Sequence, residues 1–151
     1  MNKTYDARAV AGPAPGRTSY AWRIRGLTGI GLVATLAAMV ATTAAAALAR
    51  AVGVDFEVPD GGETIPLPGI AVVTGFFSVV GVVVAAGLLR WSARPAERFA
   101  CTAVTLTALS LVPPLLSGAA TATVTTLIGL HLVAATVMIP ALTRSLRART
   151  G

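Results

Sequence analysis

Residues 26–49 read GLTGIGLVATLAAMVATTAAAALA, 24 consecutive positions without Asp, Glu, Lys or Arg. A charge-free apolar run of this length reads as a membrane-crossing helix, because a hydrocarbon core about 30 Å thick takes about 20 helical residues to traverse. Two more such runs follow, 65–89 and 99–143, and a small-residue turn at 117–122 divides the second. The sequence therefore predicts an all-α membrane protein with four spans, at about 26–49, 68–89, 99–116 and 123–143. Short connections favour an up-down-up-down bundle. Small residues at 44–49 resemble a cleavage site. The run is nevertheless longer than the 7–15 residues of a signal core, and a long polar leader precedes it, so a retained first span is expected.

Composition agrees. Of 151 residues, 55% are hydrophobic and 12% charged, about half the charged share of a soluble domain, and the mean hydropathy is +0.78. That leaves too little charge for a solvated surface. The formal net charge of +6 would suggest nucleic acid in a soluble protein. Here the basic residues flank apolar runs and no aromatic-and-basic reading surface accompanies them, so nucleic acid is excluded and the lipid bilayer is the expected partner. Arg outnumbers Lys eleven to one and Ala is abundant, a composition associated with GC-rich bacterial genomes. The single cysteine, Cys101, can form no intramolecular disulfide and belongs to no CxxC or Cys/His pattern. It reads as a small apolar residue near a helix start.

Residues 1–25 form a basic leader. Its Gly12-Pro13-Ala14-Pro15-Gly16 cannot sustain a helix, so disorder is expected there, tightening near Tyr20 and Trp22, whose amphipathic rings suit a membrane–water interface. Residues 144–151 form a basic tail. Orientation follows from the bias of Lys and Arg to cytoplasmic flanks. Lys3, Arg8, Arg17, Arg23 and Arg25 lie in the leader, Arg90, Arg94 and Arg98 in the middle turn, and Arg144, Arg147 and Arg149 in the tail. A four-span chain puts all of these on one side. The other side keeps Arg50 with Asp55, Glu57, Asp60 and Glu63. Both termini are thus expected in the cytoplasm.

Membrane helices associate where small residues let backbones approach. Span one offers two such rows, Ala37, Ala41, Ala45, Ala49 and the adjacent Ala34, Ala38, Thr42, Ala46. Span two has Gly75, Gly81 and Gly87. In the outer loop, Val54, Phe56 and Val58 alternate with Asp55 and Glu57, Asp60-Gly61-Gly62 is a turn signal, and 64–67 can pair back; the pattern allows a small hairpin. The loop acids are not a calcium loop, since position six from Asp55 is Asp60 where a glycine belongs.

His131 is the only histidine and the only strongly titratable side chain inside a span, which makes it a functional-site hypothesis, because burying such a group is costly. It lies about nine residues, roughly 13 Å, below the outer turn. Ser110, Thr42, Thr43 and Ser78 fall near the same depth, so all four spans offer polar atoms to one layer. Pro113 and Pro114 lack N–H groups, predict a kink, and free the carbonyls of Leu109 and Ser110. A hydrogen bond between His131 and Ser110 across spans three and four is expected. One imidazole cannot supply the three or four ligands of a metal site. A haem with one axial His has no second signal, so no cofactor and no catalytic residue is assigned.

At Gly53-Val54-Asp55, Leu109-Ser110-Leu111-Val112-Pro113, and Leu130-His131-Leu132-Val133 with Ile139-Pro140, the chain resembles an uncharacterised family of four-span membrane proteins from actinobacteria, over about residues 25–145. The resemblance implies a bacterial plasma-membrane location and the four-span layout, and it carries no catalytic roles. The leading functional expectation is a small multi-pass protein with an accessory or interaction role, alone, as a homo-oligomer or with a membrane-protein partner. A small transporter or channel subunit with a polar layer around His131 is the first alternative. A membrane enzyme acting on a lipid-like substrate, with His131 as acid or base, is the second.

Overall fold

A computed structural model describes residues 15–58 and 63–150, with side chains described from residue 20 onward except at 58. The elements are α1 (Pro15–Ala51), β1 (Glu57–Val58), β2 (Glu63–Thr64), α2 (Leu67–Trp91), α3 (Pro95–Ser110), α4 (Val112–Leu116) and α5 (Thr121–Thr150). Four helical stretches are long and apolar enough to cross a membrane: Tyr20–Ala51, Leu67–Trp91, Pro95–Leu116 and Thr121–Thr150.

The helices outrun the charge-free segments at both ends of the chain. Residues 15–25, expected within a disordered leader, are helical, because Pro15 sits in the first turn, where its missing N–H costs nothing. The rest of that expectation, residues 1–14, lies outside the described residues. The tail expected to begin at 144 continues α5 to Thr150. Leu142 and Leu146 are both fully buried; their spacing of four extends the apolar stripe past Arg144. Tyr20 lies under the Arg90 guanidinium at 5.1 Å, and the Arg149 guanidinium packs on Gly26. The start of α1, the end of α2 and the end of α5 therefore meet at one end of the bundle. The third span starts at Pro95, again a first-turn proline, and breaks at Leu111, just before Pro113 and Pro114.

Helix α1 packs on α2 and α5, α3 packs on α5 and α2, and α2 touches α5 across the middle. Of the two small-residue rows in α1, the second is buried: Ala34, Ala38, Thr42 and Ala46 continue the line of Leu27 and Gly31. The first row flanks it, with Ala37 exposed and Ala41, Ala45 and Ala49 half-buried. One core cluster, with Val82, Ala85, Phe99 and Leu142, joins the four long helices toward the arginine-rich end. A smaller one, Ala46, Phe56, Ile70 and Leu130, closes the other end.

That second cluster is built by the loop after α1. Gly53, at φ +94°, ends the helix: its N–H reaches the Arg50 carbonyl, and the Val54 N–H reaches the Ala49 carbonyl, both at 3.0 Å. This is the Schellman closure, which needs a left-handed residue at that position. The alternating segment then forms an antiparallel hairpin, Glu57 opposite Thr64 and Val58 opposite Glu63. Its expected turn, Asp60-Gly61-Gly62, falls outside the described residues. Phe56 is fully buried and inserts between α1, α2 and α5.

Candidate functional site: a lateral groove beside His131

Helix α3 is fully buried only near its start. Its buried residues are Pro95, Ala96 and Phe99; beyond Phe99 it leaves a groove of about 500 Å³ between itself, α2 and α5. The wall is mostly apolar, with Ile70, Val73, Phe77, Leu106, Leu130 and Met138 among its residues. Val73, Phe77 and Leu106 are also exposed, so the groove opens sideways between α2 and α3. Phe99 and Leu142 line it at the arginine-rich end, and Ile65 at the hairpin end.

The structure distributes the five polar residues of the expected layer over two places. His131, Ser110 and Ser78 line the groove. Thr42 and Thr43 lie on α1, apart from its lining. Thr42 Oγ1 bonds to the Ala38 carbonyl at 2.9 Å and approaches Thr74 Oγ1 on α2 at 3.2 Å, a hydroxyl pair between helices. Thr43 Oγ1 is buried without a hydrogen-bond partner, as is Thr143 Oγ1.

The expected bond between His131 and Ser110 is not made. His131 Nδ1 is 2.8 Å from the Leu127 carbonyl, one turn back on its own helix, and Ser110 donates to the Thr107 carbonyl at 2.7 Å. The physical reason is local: a side chain in a helix reaches a carbonyl three or four residues back without any neighbouring helix. Because a carbonyl only accepts, Nδ1 must carry the hydrogen, which in the neutral ring leaves Nε2 as the unprotonated nitrogen. Thr74, Thr102 and Thr107 also line the groove and were missed. Their signal was spacing: Thr74 is four residues before Ser78, and Thr107 three before Ser110.

Among the described residues, no three His, Cys, Asp or Glu residues gather to hold a metal ion. The one ion pair among them is Arg94 with Glu97 at 3.6 Å, on the surface, where such pairs contribute little. Cys101 is exposed. A second, smaller pocket of about 220 Å³ lies between the hairpin, at Asp55 and Glu57, and the start of α5 at Thr123.

A family of unknown function, DUF6069, matches residues 23–148. The chain belongs to that family. The match spans all four long helices and the hairpin between the first two. This member of DUF6069 has four helices long and apolar enough to cross a membrane, and the family supplies no activity. No curated protein and no solved structure matches the chain.

Proposed function

We propose that this is a small multi-pass protein of the bacterial plasma membrane, with both termini in the cytoplasm and an accessory, binding role. The orientation is supported by the meeting of Arg23, Arg25, Arg90, Arg94, Arg98, Arg144, Arg147 and Arg149 toward one end, against Arg50 alone at the hairpin end. Cytoplasmic flanks hold the positive charge. The observation that carries the binding role is the groove's sideways opening through an apolar rim. A transporter needs a polar path between the two faces, and this groove instead faces the hydrocarbon.

Single-cysteine labelling in intact cells tests the placement. In a Cys101→Ala background, a membrane-impermeant maleimide is expected to label Glu57→Cys and to spare Thr150→Cys until the cells are opened. Labelling at both positions in intact cells would reject the even-span orientation.

A membrane enzyme acting on a lipid-like substrate is the second reading, favoured by one observation: the sole imidazole lines the groove together with the Ser110 and Thr107 hydroxyls. His131→Ala separates the two. Interhelical and side-chain hydrogen bonds in membranes are worth about 0.6 kcal/mol on average, and the His131 bond lies within one helix, so abundance should stay normal. A binding role predicts an unchanged growth phenotype in the native host. Lost function at normal protein level, with lipid still retained by the purified variant, would instead support the acid–base role.

A further inference from the structure

We propose that the groove between α2, α3 and α5 binds one zwitterionic phospholipid, with a single acyl chain along the groove and the phosphate at Arg50. The first argument is dimensional. The groove runs from Gly69 to Val84 on α2 and from Leu127 to Leu142 on α5, about 22 Å at 1.5 Å per residue. Its volume of about 500 Å³ over that length gives a mean section of about 23 Å², using the same helical rise. Non-bonded carbons meet at about 4 Å, so an extended hydrocarbon chain takes about 16 Å² and fits within that section. A helix with its side chains is about 10 Å across and does not fit. A whole helix of a partner or of a second copy therefore cannot lie inside the slot.

The second argument is chemical. An apolar space with no atoms on one side forfeits its dispersion contacts, and apolar cavities do not hold water. Two of the polar atoms in the wall, Ser110 Oγ and His131 Nδ1, are turned onto carbonyls of their own helices, and most of the lining is apolar. The hydrocarbon next to an open lateral groove is the acyl chain of a membrane lipid.

The third argument is charge. Ile65 lines the hairpin end of the groove, and its carbonyl accepts a hydrogen bond from Arg50 Nη2 at 2.5 Å. Arg50 is the only Lys or Arg between residues 26 and 89. Its guanidinium is held over the Phe56 ring at 5.7 Å and takes part in no ion pair among the described residues. A guanidinium carries five donors, of which the Ile65 carbonyl uses one, and its planar fork matches a phosphate. Asp55, Glu57 and Glu63 lie on the same loop and hairpin and are exposed. A guanidinium on a loop that also exposes carboxylates suits a headgroup that carries both a phosphate and an ammonium.

This inference rests on the membrane placement proposed above, but its test does not depend on which end faces the cytoplasm. The full chain is purified in detergent and exchanged with palmitoyl-oleoyl phosphatidylethanolamine or with palmitoyl-oleoyl glycerol, which has the same chains and no phosphate. Retained lipid is counted by native mass spectrometry. The expected result is one phospholipid per chain, retained at least tenfold over the diacylglycerol. Ala135→Phe, in the middle of the groove wall, should cut retention below one-tenth with an unchanged melting temperature. Thr107→Leu, from the opposite wall, takes its place if the first variant does not fold. Arg50→Gln should abolish the preference for phospholipid over diacylglycerol while a chain is still retained. No adduct on the wild-type chain, equal retention of the two lipids, or retention indifferent to the groove variants would each overturn the proposal. Failure of the maleimide labelling with one-lipid retention intact would fault the orientation alone.

Discussion

Gly31→Leu is expected to separate α1 from α2 and to leave Gly29→Leu, one half-turn away, almost silent. Gly31 is buried, and a Cβ added there would meet Val82 Cγ2 at 2.6 Å and Cγ1 at 3.0 Å. Val82 is itself buried at 8% exposure, and a β-branched side chain in a helix has essentially one rotamer. The valine cannot swing aside, so the helices must part. In lipid no hydrophobic force pulls them back together; close packing is what holds them. Overpacking a core costs about 1–3 kcal/mol for added methylenes, and leucine should reach the top of that range. Nothing lies within 4 Å of a Cβ at Gly29, so that leucine faces outward and should stay within about 0.5 kcal/mol of wild type. Unfolding in mixed micelles reads both. Equal stability of the two variants would sink this account of the α1–α2 contact. Pairing Gly31→Ala with Val82→Ala should restore stability beyond the sum of the single changes, because the two residues share one space.

Phe56→Ala should be the most damaging change outside the helices. Phe56 is fully buried, shares a cluster with Ala46, Ile70 and Leu130, and supports the Arg50 guanidinium. Truncating a buried Phe costs about 3–5 kcal/mol. The loss should appear as release of the hairpin rather than of the bundle, since the cluster joining the four helices does not contain Phe56. Protection of the Ile65 amide, which donates to the Phe56 carbonyl at 3.2 Å, is the direct reporter in hydrogen exchange. Phe56 also has φ +54°, a left-handed conformation that costs a side chain roughly 1–2 kcal/mol. Phe56→Gly should therefore be no worse than Phe56→Ala, reversing the usual penalty for glycine. If glycine proves clearly worse, the backbone there is not the strained one described.

The four long helices were legible because their signal is one-dimensional: an absence of charge over a bilayer's thickness. Their ends were not, because a charge does not stop a helix. Arg144 lies on the outward side while Leu142 and Leu146 keep the buried stripe running, and Pro15 and Pro95 start helices that look broken in sequence. The hairpin was visible in the alternation of Val54, Phe56 and Val58. His131, Ser110 and Ser78, grouped by depth, line one groove. Azimuth was the missing quantity, and it sent Thr42 to a hydroxyl on α2 and His131 to its own helix. The groove itself had no sequence signature, since it arises from how α2, α3 and α5 meet, and unfilled space is written in no single residue.

Helix α1 runs unbroken for 37 residues, about 55 Å at the usual rise, well beyond a hydrocarbon core of about 30 Å. The surplus stands at the same end as the last turns of α5, braced by Tyr20 under Arg90 and by Arg149 against Gly26. The chain thus carries a stiff mast that turns as one piece with the membrane domain. The turns of α1 from Pro15 to Arg25, about 16 Å at that rise, therefore share the tilt and rotation of the bundle.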